Sequence, residues 1–322
     1  MSNACSFSSV LLRITILNFI SFFLSSCNSN VSHFKNAQKE FLNDDYIGAI
    51  IELNTLFEST GKTDSALVLR AKCYLKIQKL NRALKDLKEA NQMNPNNSEA
   101  KLELGRYYVL VEDTLNATNI LTQVANGKSN SSSDAFIELG KINYFKDKFE
   151  LSISNFTDAI EEDSSNYLAW YYRAIMRSTF YDKDESSTQS LFKYLDFNQA
   201  INDYKRAISI RNNFADAWYR MGLVYLNKFD EPNGIKAINQ AIALEPINSY
   251  YYIGRADFYA RKEEYQKAIK DYCTAIEIAQ NDPTSYEGRA LCYKALGNTE
   301  LFKEDFKKAF LLRKDLKSYK VM

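Results

Sequence analysis

Small residues return along this chain with a period of 34. Ala37, Ala71 and Gly105 keep strict spacing, Gly140 and Ala174 follow one residue late, and Gly222, Ala256 and Ala290 follow after 14 further residues. Counting from residue 30, these occupy position 8 of each unit. Position 20 is Ala49, Ala83, Ala117, Ser152, Ala200, Gly234, Ala268 and Phe302, and position 24 is Leu53, Leu87, Leu121, Phe156, Tyr204, Ile238, Tyr272 and Phe306. Self-similarity at such a period means stacked helical or strand units that bury a face only against their neighbours.

The stretch Ala215–Asn248 shows what one unit is. Trp218, Met221, Gly222 and Tyr225 make one aromatic and apolar stripe on a first helix. Gly222 sits where a neighbouring backbone must come close. Gly234, Ile238 and Ala241 share a face of a second helix, and Pro246 stops it. This helix–turn–helix of 34 residues resembles the tetratricopeptide repeat, with Trp218, Gly222, Tyr225 and Pro246 on its signature positions. Trp170, Gly105, Gly140 and Pro95 are the matching signature residues of other units. Gly234 replaces the usual Ala and is expected to loosen the packing locally.

The phase divides the chain into 30–63, 64–97, 98–131, 133–166, 167–214, 215–248, 249–282 and 283–316, with a tail at 317–322. The four prolines, Pro95, Pro232, Pro246 and Pro283, lie at unit or helix boundaries, and no long run alternates at period two. The expected fold is all-α. The resemblance implies a right-handed superhelical solenoid of about eight repeats. With 46% apolar residues the chain can bury a sizeable core, and a net charge of +1 gives no general basis for binding nucleic acid.

Residues 1–27 stand outside the period. Arg13 precedes the apolar run Ile14–Leu24, and Leu24-Ser25-Ser26-Cys27 follows. Eleven residues are too few to span a bilayer, which needs ~20, but they have the length of a signal-peptide core. The ending resembles a bacterial lipobox, in which the Cys27 thiol receives the lipid and Asn28 is compatible with outer-membrane sorting. The segment reads alternatively as an ordinary cleaved signal or as a misplaced start. A lipidated Cys27 would anchor the chain on the periplasmic side of the envelope.

Three irregularities stand out. Asn126–Ser133 is rich in Gly, Ser and Asn and predicts a frayed end to the third repeat. The fifth repeat carries 14 surplus residues over 181–194, where Ser187 or Thr188 could cap a second helix extended back through Leu191, Tyr194 and Leu195. That insertion is either a binding loop or an elongated helix pair without a role. Phe306, Phe310 and Leu312 on the last helix face the place of a next repeat, so the tail or a partner is expected to cover them.

No constellation supports catalysis. His33, the single histidine, takes the place of a first-helix aromatic and reads as packing. Cys73, Cys273 and Cys292 have no metal-ligand spacing. Cys73 and Cys292 occupy core positions, and a disulfide between Cys273 and Cys292 on adjacent helices is left open. Glu161-Glu162-Asp163 and Glu263-Glu264 read as solvated, and no glycine-rich phosphate loop occurs. No metal, cofactor or small-molecule substrate is expected.

Binding is therefore the expected activity. In the family, positions 2, 5, 9, 12 and 13 of each first helix line the inner groove. The resemblance places Ile137, Lys141, Tyr144 and Phe145 there in repeat four, Tyr171 and Ile175 in repeat five, and Tyr219, Leu223 and Leu226 in repeat six. Lys72, Lys76 and Arg106 make repeats two and three more basic. These side chains either form a partner surface, with Tyr144, Tyr171 and Tyr219 as anchors, or pack against facing helices. Related domains that capture a chaperone's C-terminal carboxylate use Lys and Asn, whereas Val68, Lys72, Glu103, Asp134 and Glu138 stand here, and the acids among them would repel it. The reading is a non-enzymatic scaffold for protein partners in an envelope assembly. A regulator of a cell-wall enzyme and an unanchored cytosolic adaptor are the alternatives.

Overall fold

In the computed structural model, residues 33–178 and 196–319 are described, with side chains to residue 314. Residues 1–32, with the apolar run and Cys27, and residues 179–195, with the whole 181–194 insertion, lie outside them. The chain divides into two compact units, Met1–Lys146 and Asp147–Met322. All sixteen elements among the described residues are helices.

The first unit holds α1 (33–42), α2 (Tyr46–Thr60), α3 (Asp64–Lys76), α4 (Leu80–Met93), α5 (Ser98–Leu110), α6 (Thr114–Ala125) and α7 (Ser132–Phe145). The second holds α8 (Phe149–Glu162), α9 (Tyr167–Ser178), α10 (Phe197–Ile210), α11 (Ala215–Asn227), α12 (Glu231–Leu244), α13 (Ser249–Arg261), α14 (Tyr265–Ile278), α15 (Pro283–Ala295) and α16 (Thr299–Tyr319). Each unit is a stack of helix hairpins.

One turn geometry closes the hairpins. Within the two units, position 15 adopts a left-handed backbone at Asp44, Gln78, Glu112, Phe229, Glu263 and Gly297. The next amide donates back to the carbonyl of position 11, as in Lys79 to Tyr74 at 2.8 Å and Asp230 to Tyr225 at 2.9 Å. This satisfies a carbonyl left free by the end of the first helix. The following Asp45, Asp113 and Asp230 then cap the second helix by accepting the amide three residues on.

The periodic small residues make room for the periodic large ones. Buried Leu53, Leu87, Leu121, Phe156, Tyr204, Ile238 and Tyr272 occupy position 24. A Cβ at Gly105 would come within 2.6 Å of the Leu121 side chain. Gly234 does not loosen its hairpin, because Leu226 fills the place its Cβ would take, at 2.4 Å.

A buried ion pair recurs as well. Arg at position 7 grips Asp at position 23 through two nitrogens: Arg70 with Asp86 (2.7 and 2.8 Å), Arg173 with Asp203 (2.9 and 2.9 Å), Arg255 with Asp271 (2.8 and 2.7 Å) and Arg289 with Asp305 (2.8 and 2.8 Å). The remaining Nη1 donates to position 25 of the preceding repeat: Asn54, Thr157, Asn239 and Cys273 Sγ respectively. Each clamp thus ties the two helices of one repeat to the second helix before it.

Several local expectations change. The third repeat does not fray: Ser132 is fully buried, donates to the Val124 carbonyl at 3.1 Å and accepts from the Ser129 amide at 2.8 Å. The helix of Ala200 does not extend back, because Asp196 is non-helical and caps it by accepting from the Gln199 amide. The tail does not fold over Phe306 and Phe310: α16 continues into it as helix, and both rings are exposed. His33 is not plain packing, since its Nδ1 lies 2.6 Å from Glu52. Cys73, Cys273 and Cys292 are all free thiols.

Candidate partner-binding groove

The inner positions of the first helices behave differently in the two units. In the first, a hollow of about 560 Å³ is lined by Phe34, Phe41, Leu42, Leu69, Lys72 and neighbours. The basic character expected nearby is neutralised. Lys72 pairs with Glu99 at 2.6 Å, and Arg106 takes Glu103, Asp134 and Glu138 at 2.8, 3.0 and 3.2 Å. Those three carboxylates outweigh the partial desolvation of the half-buried Arg106 guanidinium and raise its pKa, keeping it charged. Lys141 adds to the cluster at 3.3 Å from Glu138. Ile137 is buried, Tyr144 is half-buried, and Phe145 is 79% exposed with its edge against the Tyr144 ring.

In the second unit, Tyr171 and Tyr219 are only 6% and 3% exposed. The Tyr171 ring packs on Phe214 at 4.7 Å, and its hydroxyl donates to Asp216 and accepts from Arg220 Nε at 2.8 Å. Burial and that carboxylate raise its pKa. Tyr219 lies between Tyr250 and Tyr251, with centroids at 5.0 and 4.9 Å. Leu226 is buried, while Ile175 and Leu223 are half-buried. Most of the Tyr171, Tyr219 and Leu226 surface is therefore spent on packing.

The open site of this unit lies further along, at repeats six to eight. A cavity of about 650 Å³ is lined by Tyr219 and Leu223 of α11, by Tyr250, Ile253, Asp257, Ala260 and Arg261 of α13, and by Thr284, Glu287 and Leu291 of α15. These are the inner-groove positions. Two glycines complete it. A Cβ at Gly254 would lie 2.1 Å from the Tyr219 hydroxyl, and one at Gly288 would lie 2.4 Å from Tyr272 Cζ. The two rings lean into the spaces the glycines leave, and the Tyr272 hydroxyl donates to Asp257 at 2.5 Å. Tyr250 and Leu291 remain 53% and 55% exposed. The groove positions expected from the family pattern end at repeat six, yet the sequence carries one signal for repeats seven and eight: position 6, which holds Lys35, Leu69, Glu103, Glu138, Tyr172 and Arg220 elsewhere, is glycine only there.

Family models decide what the hairpins are. A model described as tetratricopeptide repeat matches residues 64–97, 215–248 and 283–316, another of that description matches 232–285, and one described as TPR repeat matches 196–228. The chain carries tetratricopeptide repeats. Among curated proteins, these repeats are similar to TPR repeat-containing protein MJ1428 of Methanocaldococcus jannaschii, with 24% identity over 75% of this chain and 37% of the relative. They are also similar to human DnaJ homolog subfamily C member 3, with 21% identity over 89% of this chain and 50% of the relative. The chain thus spans half or less of the length of these relatives. Among solved structures, the APC/C hetero-tetramer Cut9-Hcn1 matches with a TM-score of 0.62 and 15% identity, covering 81% of this chain and 47% of that one. That likeness is one of fold: an all-α tetratricopeptide-repeat architecture.

No group of three or more His, Cys, Asp or Glu among the described residues is placed to hold a metal. No helix among them is long and apolar enough to cross a membrane.

Proposed function

We propose that the chain is a non-enzymatic interaction scaffold that takes an extended segment of a protein partner along the first helices of repeats six to eight. One observation carries this. Tyr250 and Leu291 expose large apolar surface on neighbouring helices, beside a 650 Å³ cavity, although the hairpin core needs neither. Apolar anchors in a concave pocket rimmed by polar groups are the pattern of a binding hot spot. Asp257, Glu287 and Arg261 supply the polar groups that would set the register of such a segment.

The scaffold is further proposed to act in a bacterial envelope, held by a lipid on Cys27, a reading supported by the apolar run and Leu24-Ser25-Ser26-Cys27. Incorporation of labelled lipid by the wild type, lost in Cys27→Ser, tests the anchor. An unlabelled wild-type chain would refute it.

The groove is tested by cross-linking recovery of partners with Tyr250→Ala plus Leu291→Ala. Both side chains are half in solvent, so the fold is expected to persist, with helicity and thermal midpoint close to wild type. Recovery should fall while those remain. Undiminished recovery would move the partner surface elsewhere.

A further inference from the structure

Phe306 and Phe310 hold positions 24 and 28 of the last repeat, which are buried or half-buried in every other repeat. On α16 the two rings are 47% and 64% exposed. α16 also differs in length, at 21 residues where the second helices α8, α10, α12 and α14 all have 14. Among the described residues its chief packing partner is α15.

The surroundings of the two rings are basic. Lys303, Phe306, Lys307, Phe310, Arg313 and Lys314 follow in steps of three, one, three, three and one, which at about 3.6 residues per turn puts them on one side of the helix. All six are exposed. The opposite side makes the core contact, with Asp305 and Ala309 buried and Phe302 and Leu312 half-buried. Two carboxylates reach the exposed side: Glu300 pairs with Lys303 at 3.1 Å, and Glu287 of α15 takes Arg313. Lys307 and Lys314 form no ion pair among the described residues, so the face keeps a positive charge around its rings.

We infer that this face of α16 docks on an anionic lipid surface, with the helix lying in the plane of the headgroups. Lys307 and Lys314 meet lipid phosphates while Phe306 and Phe310 enter the acyl boundary, so charges and rings are satisfied together. Basic side chains interleaved with aromatic rings on one helix face are the pattern that such a surface attracts. α16 does not cross the bilayer, since no described helix is long and apolar enough. A second copy of the chain fits less well, because α16 against its own copy would set Lys307 and Lys314 among like charges. Nucleic acid would take the charges, but a helix ridge with two rings offers no groove for a strand to follow. The contact requires neither the groove of repeats six to eight nor a lipid on Cys27.

The test is flotation of the full chain with vesicles, carried out in Cys27→Ser so that no attached lipid contributes. Residues 1–32 hold a single charged side chain, Arg13, so a preference for lipid charge reports on the rest of the chain. Binding to phosphatidylglycerol vesicles is expected to exceed binding to phosphatidylcholine vesicles by roughly 10-fold or more, and to fall with added salt. Lys307→Gln plus Lys314→Gln should lower affinity for phosphatidylglycerol by roughly 10-fold or more, at about fivefold per lysine. Phe310→Ser should lower it by roughly fivefold while the preference for anionic lipid remains. All three side chains are exposed, so helicity should stay at the wild-type level in both variants. Equal binding to the two lipids, or binding that ignores both variants, would overturn the assignment. So would self-association abolished by Phe310→Ser, or capture of a single-stranded oligonucleotide, by a chain that does not bind the vesicles.

Discussion

Gly222 and Gly234 face each other where α11 crosses α12: a Cβ on Gly222 would stand 2.9 Å from the Gly234 carbonyl oxygen, and one on Gly234 would stand 3.1 Å from that of Gly222. The obstacle is backbone, which cannot rotate away as a side chain would.

Gly222→Ala is therefore expected to destabilise the second unit despite the better helix propensity of alanine. Propensity gains up to about 1 kcal/mol, while forcing the helices apart costs about 1–3 kcal/mol. A urea midpoint at or above wild type would show that the hairpin can spread freely.

The clamps should be costly to break and cheaper to replace. Arg255→Ala leaves Asp271 buried without its partner, at a cost of about 3 kcal/mol or more. Arg255→Met with Asp271→Ala, the pairing that Met221 and Ala237 already use, should cost less than either single change. A double-mutant cycle by chemical denaturation measures the difference, and additive losses would contradict the claim.

Phe229 holds a φ of 60° with its side chain 91% exposed. Glycine adopts that conformation freely, so Phe229→Gly should stabilise the hairpin by about 1 kcal/mol. The thermal midpoint should rise, and a fall would mean the ring contributes more than its exposure suggests.

Alkali should unfold the chain. Burial pushes the Cys73 and Cys292 thiols from 9.0 up to about 11. It also raises the phenols of Tyr204, Tyr219 and Tyr272. Below pH 9 both folded and unfolded thiols hold their protons. As pH climbs from 9 towards 11 the unfolded groups ionise and the folded ones do not, so the unfolded state binds fewer protons and stability falls. Urea midpoints across that range should decline steeply, with tyrosinate absorbance appearing together with loss of helix. Early, non-cooperative ionisation of all tyrosines would refute the burial.

The all-α architecture and the residues meeting at each hairpin were legible, because a 34-residue period shows directly at Ala71, Gly105, Gly222 or Tyr272. The turns were not. Left-handed residues at position 15 include Asp44, Gln78 and Phe229, held by a backbone hydrogen bond that does not depend on their side chains. For the groove, position within the repeat identified inner-facing residues but could not say which would be consumed. Tyr219 bends over Gly254 and becomes core, whereas Tyr250, 31 residues on, keeps half its surface. That outcome depends on which neighbour yields space, a property of pairs of repeats. The clamp is hard to read from sequence for a similar reason: its Arg and Asp lie 16 residues apart, or 30 in the fifth repeat, on different helices of a hairpin.

Each guanidinium clamp borrows its third acceptor from the repeat before, and the lenders differ: an amide from Asn54 or Asn239, a hydroxyl from Thr157, a sulfur from Cys273. The modules look alike but are not interchangeable. Shuffling their order would keep every hairpin intact while stranding an arginine at the new seam, so the succession of repeats is itself written into the interior.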